Sequence, residues 1–307
     1  GGDLHAGRRL PPLVARLIHD KAEGNPFFSE ELALALRDAG LIDVADGEIR
    51  LSSRAGDLSA LDFPTTIQGI ITSRVDLLPP PEQLTIKVAS VIGRIFAFRL
   101  LRDAYPTSVD EAQLHRHLDD LARLEIALPE TPEPDLAYLF KHIVTQEVVY
   151  SLMTFAQRRQ LHERVALRLE AQGEAEQVRD VPRLAYHWQQ AGAAEKAAVY
   201  YERAGESAFR GFANQEAIRF LSLAAELAGP GVSTLRRARW ERLMGEAAYR
   251  LTQMEESKAH YSAALALVGR AVPRSMAGNA LRLTAELARQ SGNRLLSRRL
   301  VTLPPDS

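Results

Sequence analysis

Apolar residues recur at intervals of three and four along most of the chain, the period of one buried helix face. In "TIQGIITSRVDLL", Ile67, Ile70, Ile71, Val75 and Leu78 form a single stripe. "RWERLMGEAAYRL" repeats the pattern with Trp240, Leu243, Met244, Ala247, Ala248 and Leu251. At the N-terminal end the same spacing predicts helices near 11–22 and 26–39, with Gly40 as the stop of the second. Residues 43–64 change character: Gly, Asp and Ser cluster, and "GEIRLS" reads as a short strand of a hairpin, so a boundary is expected there.

Helical periodicity then predicts helices over 65–78, 82–92, 97–104 and 110–124, the first two separated by Pro79-Pro80-Pro81. In "IALPETPEPDLAYLF" two short apolar runs flank a Pro/Glu-rich turn, the signal of a β-hairpin with prolines at its tip. A further helical stretch follows from His142. Three helices followed by a hairpin is the order of a winged-helix domain.

From about residue 166 helix follows helix, rich in Ala, with internal repetition. Leu184, Ala185, Trp188, Gly192, Ala197, Tyr201 and Ala204 have the same internal spacing as Met244, Gly245, Ala248, Thr252, Ser257, Tyr261 and Ala264. Small residues where helices touch, beside an aromatic filling the gap, match the tetratricopeptide (TPR) pattern. "FANQEAIRFLSLAAEL" reads as another second helix, and "ALRLTAELARQSGNRLLSRRL" as the start of a further unit. The period is not a strict 34 residues. A divergent helical solenoid and an ordinary helical bundle both fit.

Composition adds mostly exclusions. A chain of 307 residues holds two or three domains, and 46% hydrophobic residues supply their cores. A net charge of −1 gives no global pull toward nucleic acid or an anionic membrane. The absence of cysteine excludes disulfides, thiolate metal sites and a cysteine nucleophile, and fits a cytoplasmic location. The densest apolar stretch, "VASVIGRIFAF", is too short and too charged around its edges to span a bilayer, so no membrane partner is expected. The opening "GGDLHAGRRLPP" reads as a loop cut from something longer, and residues 1–20 are expected to pack poorly without a natural neighbour.

The candidate chemistry centres on "KAEGNPFFSEELALAL". Helix capping explains Gly24-Asn25-Pro26 by itself: Asn25 is a favoured N-cap, Pro26 suits the first helical position, and Glu30 and Glu31 favour the positive end of the dipole. Two adjacent aromatics, Phe27 and Phe28, do not both fit one core, so one of them faces a neighbouring domain or a base. The expected recognition helix, "DEAQLHRHLDDLARLE", carries five acids against Arg116 and Arg123, the wrong balance for phosphate, and no direct DNA contact is expected. His115 and His117 do not share a helix face, and His162 and His187 have no sequence neighbours to complete a metal site. No nucleophile elbow, zinc-protease motif or acid/base pair stands out. Arg236, Arg237, Arg239 and Arg242 read as a solvated face beside an inward Trp240, or as a contact for an acidic partner.

Three ordered blocks carry a resemblance. "KAEGNPFFSEELALALRDAGLI", "LDFPTTIQGIITSRVDLLPPPEQLTIKVASVIGRIFAF" and "LFKHIVTQEVVYSLMTFAQRRQLHERVALRLE" resemble predicted signal-transduction ATPases of the STAND class. In that class AAA-type ATPase and helical-repeat regions are joined to class III adenylate/guanylate cyclases, protein kinases or LuxR-type regulators. The resemblance runs from residue 11 to about 250 and departs at Ser29, where the class has an aliphatic residue. It implies that Pro26 packs on the adenine of ATP or ADP, with Gly24 permitting the approach. It implies that His142 touches the β-phosphate of ADP, although Lys141 and Ile143 replace the Met and Asp that flank that histidine in the class. No G-x-x-x-x-G-K-[ST] loop is present in the sequence.

The expected fold is therefore mainly α: the end of an ATPase helical lid over 1–42, a linker over 43–64, a winged-helix domain with a short β-hairpin over 65–165, and a TPR-like α-solenoid over 166–307. The cofactor-binding candidates are Gly24, Asn25, Pro26 and His142, with ATP or ADP held only together with a phosphate-loop domain upstream. That domain is the expected partner, along with a protein or small-molecule effector on the repeats. The expected function is non-catalytic coupling of nucleotide state to winged-helix docking. The competing reading is a TPR-like interaction scaffold without a nucleotide role.

Overall fold

Among the residues that the computed structural model describes (11–22, 24–45, 48–52, 64–132, 134–171 and 174–270) the chain is mainly helical. It divides into two units, Gly1–Ala193 and Ala194–Ser307.

The first unit opens with α1 (Pro12–Ala22) and α2 (Pro26–Asp38), followed by the antiparallel hairpin β1 (Ile42–Ala45) and β2 (Glu48–Leu51). The apolar stripes of both helices meet the hairpin and α3 (Ile67–Asp76) in one core: Val14, Ile18, Phe28, Leu32, Leu36, Ile42, Ile49 and Ile70 are buried together. Each such side chain contributes roughly 1.5–3 kcal/mol of transfer free energy. The expectation that residues 1–20 pack poorly is thus corrected for α1, whose Val14 and Ile18 lie inside this core; residues 1–10, and 53–63 of the expected linker, lie outside the described residues.

Next come α4 (Pro80–Ile92), β3 (Ile95–Ala97), α5 (Phe98–Ala104), α6 (Glu111–Arg123), β4 (Ala127–Thr131), β5 (Ala137–Phe140) and α7 (Ile143–Ser151). The sheet runs β3-β5-β4, antiparallel throughout. Across it Phe96 stacks on Tyr138 at 6.0 Å between centroids and meets Phe140 edge-on at 5.6 Å. Pro129 sits on the edge strand β4, where a missing N–H is tolerated, and the register shifts just after it. β3 has no counterpart in the sequence expectation, which leaves 95–96 between two helices and starts the second at 97. Leu114, Leu118 and Leu121 bury one face of α6. Then α8 (Phe155–Glu170), opened by a capping box between Thr154 and Gln157, pairs with α9 (Glu174–Gln190).

The second unit contains α10 (Ala194–Arg210), α11 (Asn214–Leu227), α12 (Thr234–Arg250) and α13 (Met254–Leu267). Here α10 pairs with α11, and α12 with α13. A Cβ on Gly205 would come within 2.7 Å of Leu221, and one on Gly245 within 3.2 Å of Tyr261. Both contacts pair residues of like position, offset by 40 (245 − 205 and 261 − 221). The sequence comparison had matched Leu184–Ala204 to Met244–Ala264, but that first segment spans α9 and α10, which fall in different units. Spacing alone therefore did not choose the pairs. The expected further unit over 280–300 lies outside the described residues.

Among the described residues six helices end in the same way. After α2, the Gly40 N–H donates to the Arg37 carbonyl and the Leu41 N–H to the Leu36 carbonyl. The same two bonds close α6 at Glu125, α9 at Gly192, α10 at Phe212, α12 at Thr252 and α13 at Gly269. Each turn residue is left-handed, with φ from 57° to 76°. Glycine adopts this freely, whereas Glu125, Phe212 and Thr252 do so at a cost of roughly 1–2 kcal/mol each.

Candidate functional site

The turn before α2 is built as capping chemistry requires. The Asn25 side-chain oxygen accepts from the Phe27 and Phe28 N–H groups at 3.0 and 3.2 Å, and Pro26 occupies the first helical turn. Gly24 is left-handed at φ 82° with open space around it, and Gly24, Asn25 and Pro26 are all exposed. The two aromatics separate. Phe28 enters the core, while Phe27 lies half-buried with its ring centroid 4.5 Å from the His142 ring. His142 is the N-cap residue of α7 and makes no side-chain capping bond. The exposed turn and the histidine, distant in sequence, therefore stand side by side through Phe27.

Behind them lies a ring of charges not anticipated from the sequence. His142 Nε2 is 3.6 Å from a Glu30 carboxylate oxygen, and Lys141 Nζ lies 2.5 Å from both Glu30 and Glu125. Glu125 accepts in turn from Arg37 at 3.1 Å, and Arg37 meets Asp38 at 3.0 Å. Arg74 then spans Asp38 at 2.8 Å and Glu31 at 2.7 Å, and it also donates to the Leu124 carbonyl at 2.5 Å. Glu31 closes the circuit, 3.9 Å from His142 Nε2. Arg74 and Glu31 are almost wholly buried. Glu30 and Glu31, read as dipole partners of α2, are instead the anchors of this ring. Burial alone would raise the Glu125 carboxyl, but hydrogen bonds from Lys141 and Arg37 outweigh it and hold it below the usual carboxylate range. Burial likewise works against the Lys141 ammonium, and its bonds to Glu125 and Glu30 raise it nonetheless.

Arg74 had a signal in the sequence. It falls on the apolar stripe of α3, between Ile71 and Val75, at 3 and 4 residues from Ile71 and Ile70. A cation on a buried stripe needs an anion.

A family described only as a domain of unknown function, DUF8739, matches residues 7–50, a stretch running through α1 and α2 into β2. None of the curated proteins matches the chain. Among solved structures, the crystal structure of a signal transduction ATPase with numerous domains (STAND) protein with a tetratricopeptide repeat sensor, from Pyrococcus horikoshii, is similar over 83% of this chain at 10% identity, with a TM-score of 0.33. This chain spans 41% of the length of that one.

Two other places gather polar or concave surface, one in each unit. Between α8 and α9, His162 Nδ1 lies 2.9 Å from His187 Nδ1, and His162 Nε2 is 3.0 Å from the Tyr150 hydroxyl. Both histidines are buried. Burial, with Arg158 nearby, lowers His162 to about 4; burial, with His162 and Arg183, lowers His187 to about 2. Two neutral imidazoles thus share one proton between facing nitrogens. The sequence left these two histidines without partners because 25 residues separate them. His115 stacks on Phe98 and His117 meets the Thr85 hydroxyl, so neither is solvated alone. Among the described residues no group of three or more His, Asp or Glu side chains could hold a metal ion, and no helix is long and apolar enough to cross a membrane.

In the second unit a groove of about 770 Å³ runs between α12 and α13, floored by Ala238, Tyr261 and Ala264 and edged by Arg236, Arg239 and Arg242. Trp240 is turned inward as expected, and its indole N–H donates to Glu202 at 2.7 Å. Arg236 also pairs with Glu202, and Arg239 with Glu206, so these arginines serve α10 rather than forming a free basic face.

Proposed function

We propose that this chain is the regulatory, non-catalytic part of a nucleotide-switched signal-transduction ATPase of the STAND class. In this reading α1 and α2 end the helical lid of an ATPase domain, and residues 65–165, from α3 into α8 with the three-stranded sheet, form a winged-helix domain. The helix pairs of the second unit are TPR-like repeats that take up a protein or small-molecule effector, with the α12–α13 groove as their concave surface. ATP or ADP, held with an upstream phosphate-loop domain, places its adenine on Pro26 and its β-phosphate at His142.

One observation carries the reading. Phe27 joins the exposed Gly24–Pro26 turn to His142 at 4.5 Å between rings, so a base on Pro26 and a phosphate at His142 belong to one surface. Phe28 alone enters the core, which leaves Phe27 beside the exposed turn and the His142 ring. An imidazole can donate to phosphate in either charge state. Each ligand must favour one docked arrangement over the other for the coupling to work.

Calorimetry with ADP tests this on the chain joined to its upstream segment, as wild type, Pro26→Ala and His142→Gln. The expected result is binding weakened about tenfold by either substitution, near the loss of one good contact. Binding indifferent to both would overturn the nucleotide reading and leave the interaction scaffold.

A further inference from the structure

The ring around α2 alternates perfectly in sign if position 142 is positive. Each carboxylate lies between two bases: Asp38 between Arg37 and Arg74, Glu125 between Arg37 and Lys141. Glu30 lies between Lys141 and His142, and Glu31 between Arg74 and His142. Four carboxylates thus face three permanent cations, and His142 is the eighth member. With an uncharged imidazole the ring keeps one surplus negative charge, and the surplus falls on the Glu30–Glu31 side. His142 Nε2 points there, enclosed and without a hydrogen bond.

Half of the ring rides on α2: Glu30, Glu31, Arg37 and Asp38. The other half comes from α3 (Arg74), the end of α6 (Glu125) and the junction of β5 with α7 (Lys141 and His142). Closing the ring therefore holds α2 against three other elements at once. Charges this enclosed are poorly screened by salt, so an unmatched carboxylate acts directly on the seam.

We propose that the ring is a clasp on α2 whose closure is set by the charge at position 142, and that a phosphate group drawn to His142 opens it. A phosphate cannot share Nε2 with two carboxylates that already flank it. As it engages the imidazole, Glu30 and Glu31 each lose the second of their two bases and α2 loosens. The phosphate step rests on the nucleotide reading above; the clasp itself does not. By reciprocity, the open clasp binds phosphate more tightly than the closed one, by the factor with which phosphate favours opening.

Hydrogen exchange of the α2 amides in the full chain tests the clasp, using wild type, His142→Gln, His142→Lys and the double variant Glu30→Gln/His142→Gln. The Lys variant is expected to exchange roughly five- to tenfold more slowly than the Gln variant, the scale of a modest coupling. The double variant, which removes the surplus charge instead of matching it, should return to the slow rate. Equal exchange in the Gln and Lys variants, or a double variant faster than His142→Gln, would overturn the clasp. Inorganic pyrophosphate should speed α2 exchange in wild type and not in His142→Gln; no response in either overturns the phosphate step while the variant order still decides the clasp. ADP binding that ignores position 142 would sink the nucleotide reading without touching the exchange result.

Discussion

At the α2 seam a histidine faces two carboxylates; at the α8–α9 seam two histidines face each other, with Arg158 and Arg183 nearby. The first seam is held by charges in alternation, the second by one proton shared between neutral rings. His142 is half-buried and His162 and His187 are fully buried, and the fields around them are opposite. A positive charge at position 142 would settle the α2 ring, whereas among the described residues a proton on His162 or His187 has no anion to meet. The residue type therefore says little about a buried histidine's role, and the sign of its neighbours says most of it.

The strongest way to break the contrast is Arg74→Met. It fills the same space but strands Glu31 and Asp38, and a buried pair broken on one side loses about 3–5 kcal/mol. Urea unfolding of the first unit should show that loss, while the α8–α9 seam keeps its own pH response.

Acid should act on the other seam. Both histidines are lowered from 6.5, so as pH falls below that value the unfolded chain takes up protons that the folded one refuses. Stability is full above about pH 6.5 and drains away toward pH 4, by roughly 3 kcal/mol for His162 alone. Exchange of α8 and α9 amides across this window, compared between wild type and His162→Leu/His187→Leu, measures the effect; the double variant should lose most of the pH dependence that the wild type shows there.

The smallest effect sharpens the comparison from outside both seams. Thr252 is exposed and left-handed in the second unit. Thr252→Gly should raise thermal stability by up to about 1 kcal/mol and leave both the α2 ring and the acid response unchanged in a scan of melting temperature against pH.

The elements were largely legible because their signals are local. Asn25 and Pro26 open α2 and Gly40 closes it, all within 16 residues. The turn between β4 and β5 announces itself through Pro132 and Pro134. What escaped was set by distance. Arg74 stood visibly on an apolar stripe, yet its partners Glu31 and Asp38 lie 43 and 36 positions away. β3 is three residues long and continues straight into a helix, so no period of two could develop. The turn and His142 could be placed together only by resemblance, because nothing in the spacing between residues 26 and 142 brings them into contact.

Glu125 carries a lesson for anyone engineering this protein. A stabilisation scan that replaces left-handed residues with glycine would pick Phe212, Thr252 and Glu125 alike, since all three close a helix with the same pair of bonds. At Thr252 the exchange relaxes the chain and removes only an exposed local hydrogen bond to the Leu251 carbonyl. At Glu125 it would relax the backbone and, in the same stroke, release Arg37 and Lys141 from their common carboxylate. The strained helix end is where the chain has kept a side chain it needs in place of the backbone it would prefer, so a search for stability alone would trade away whatever control that side chain exerts.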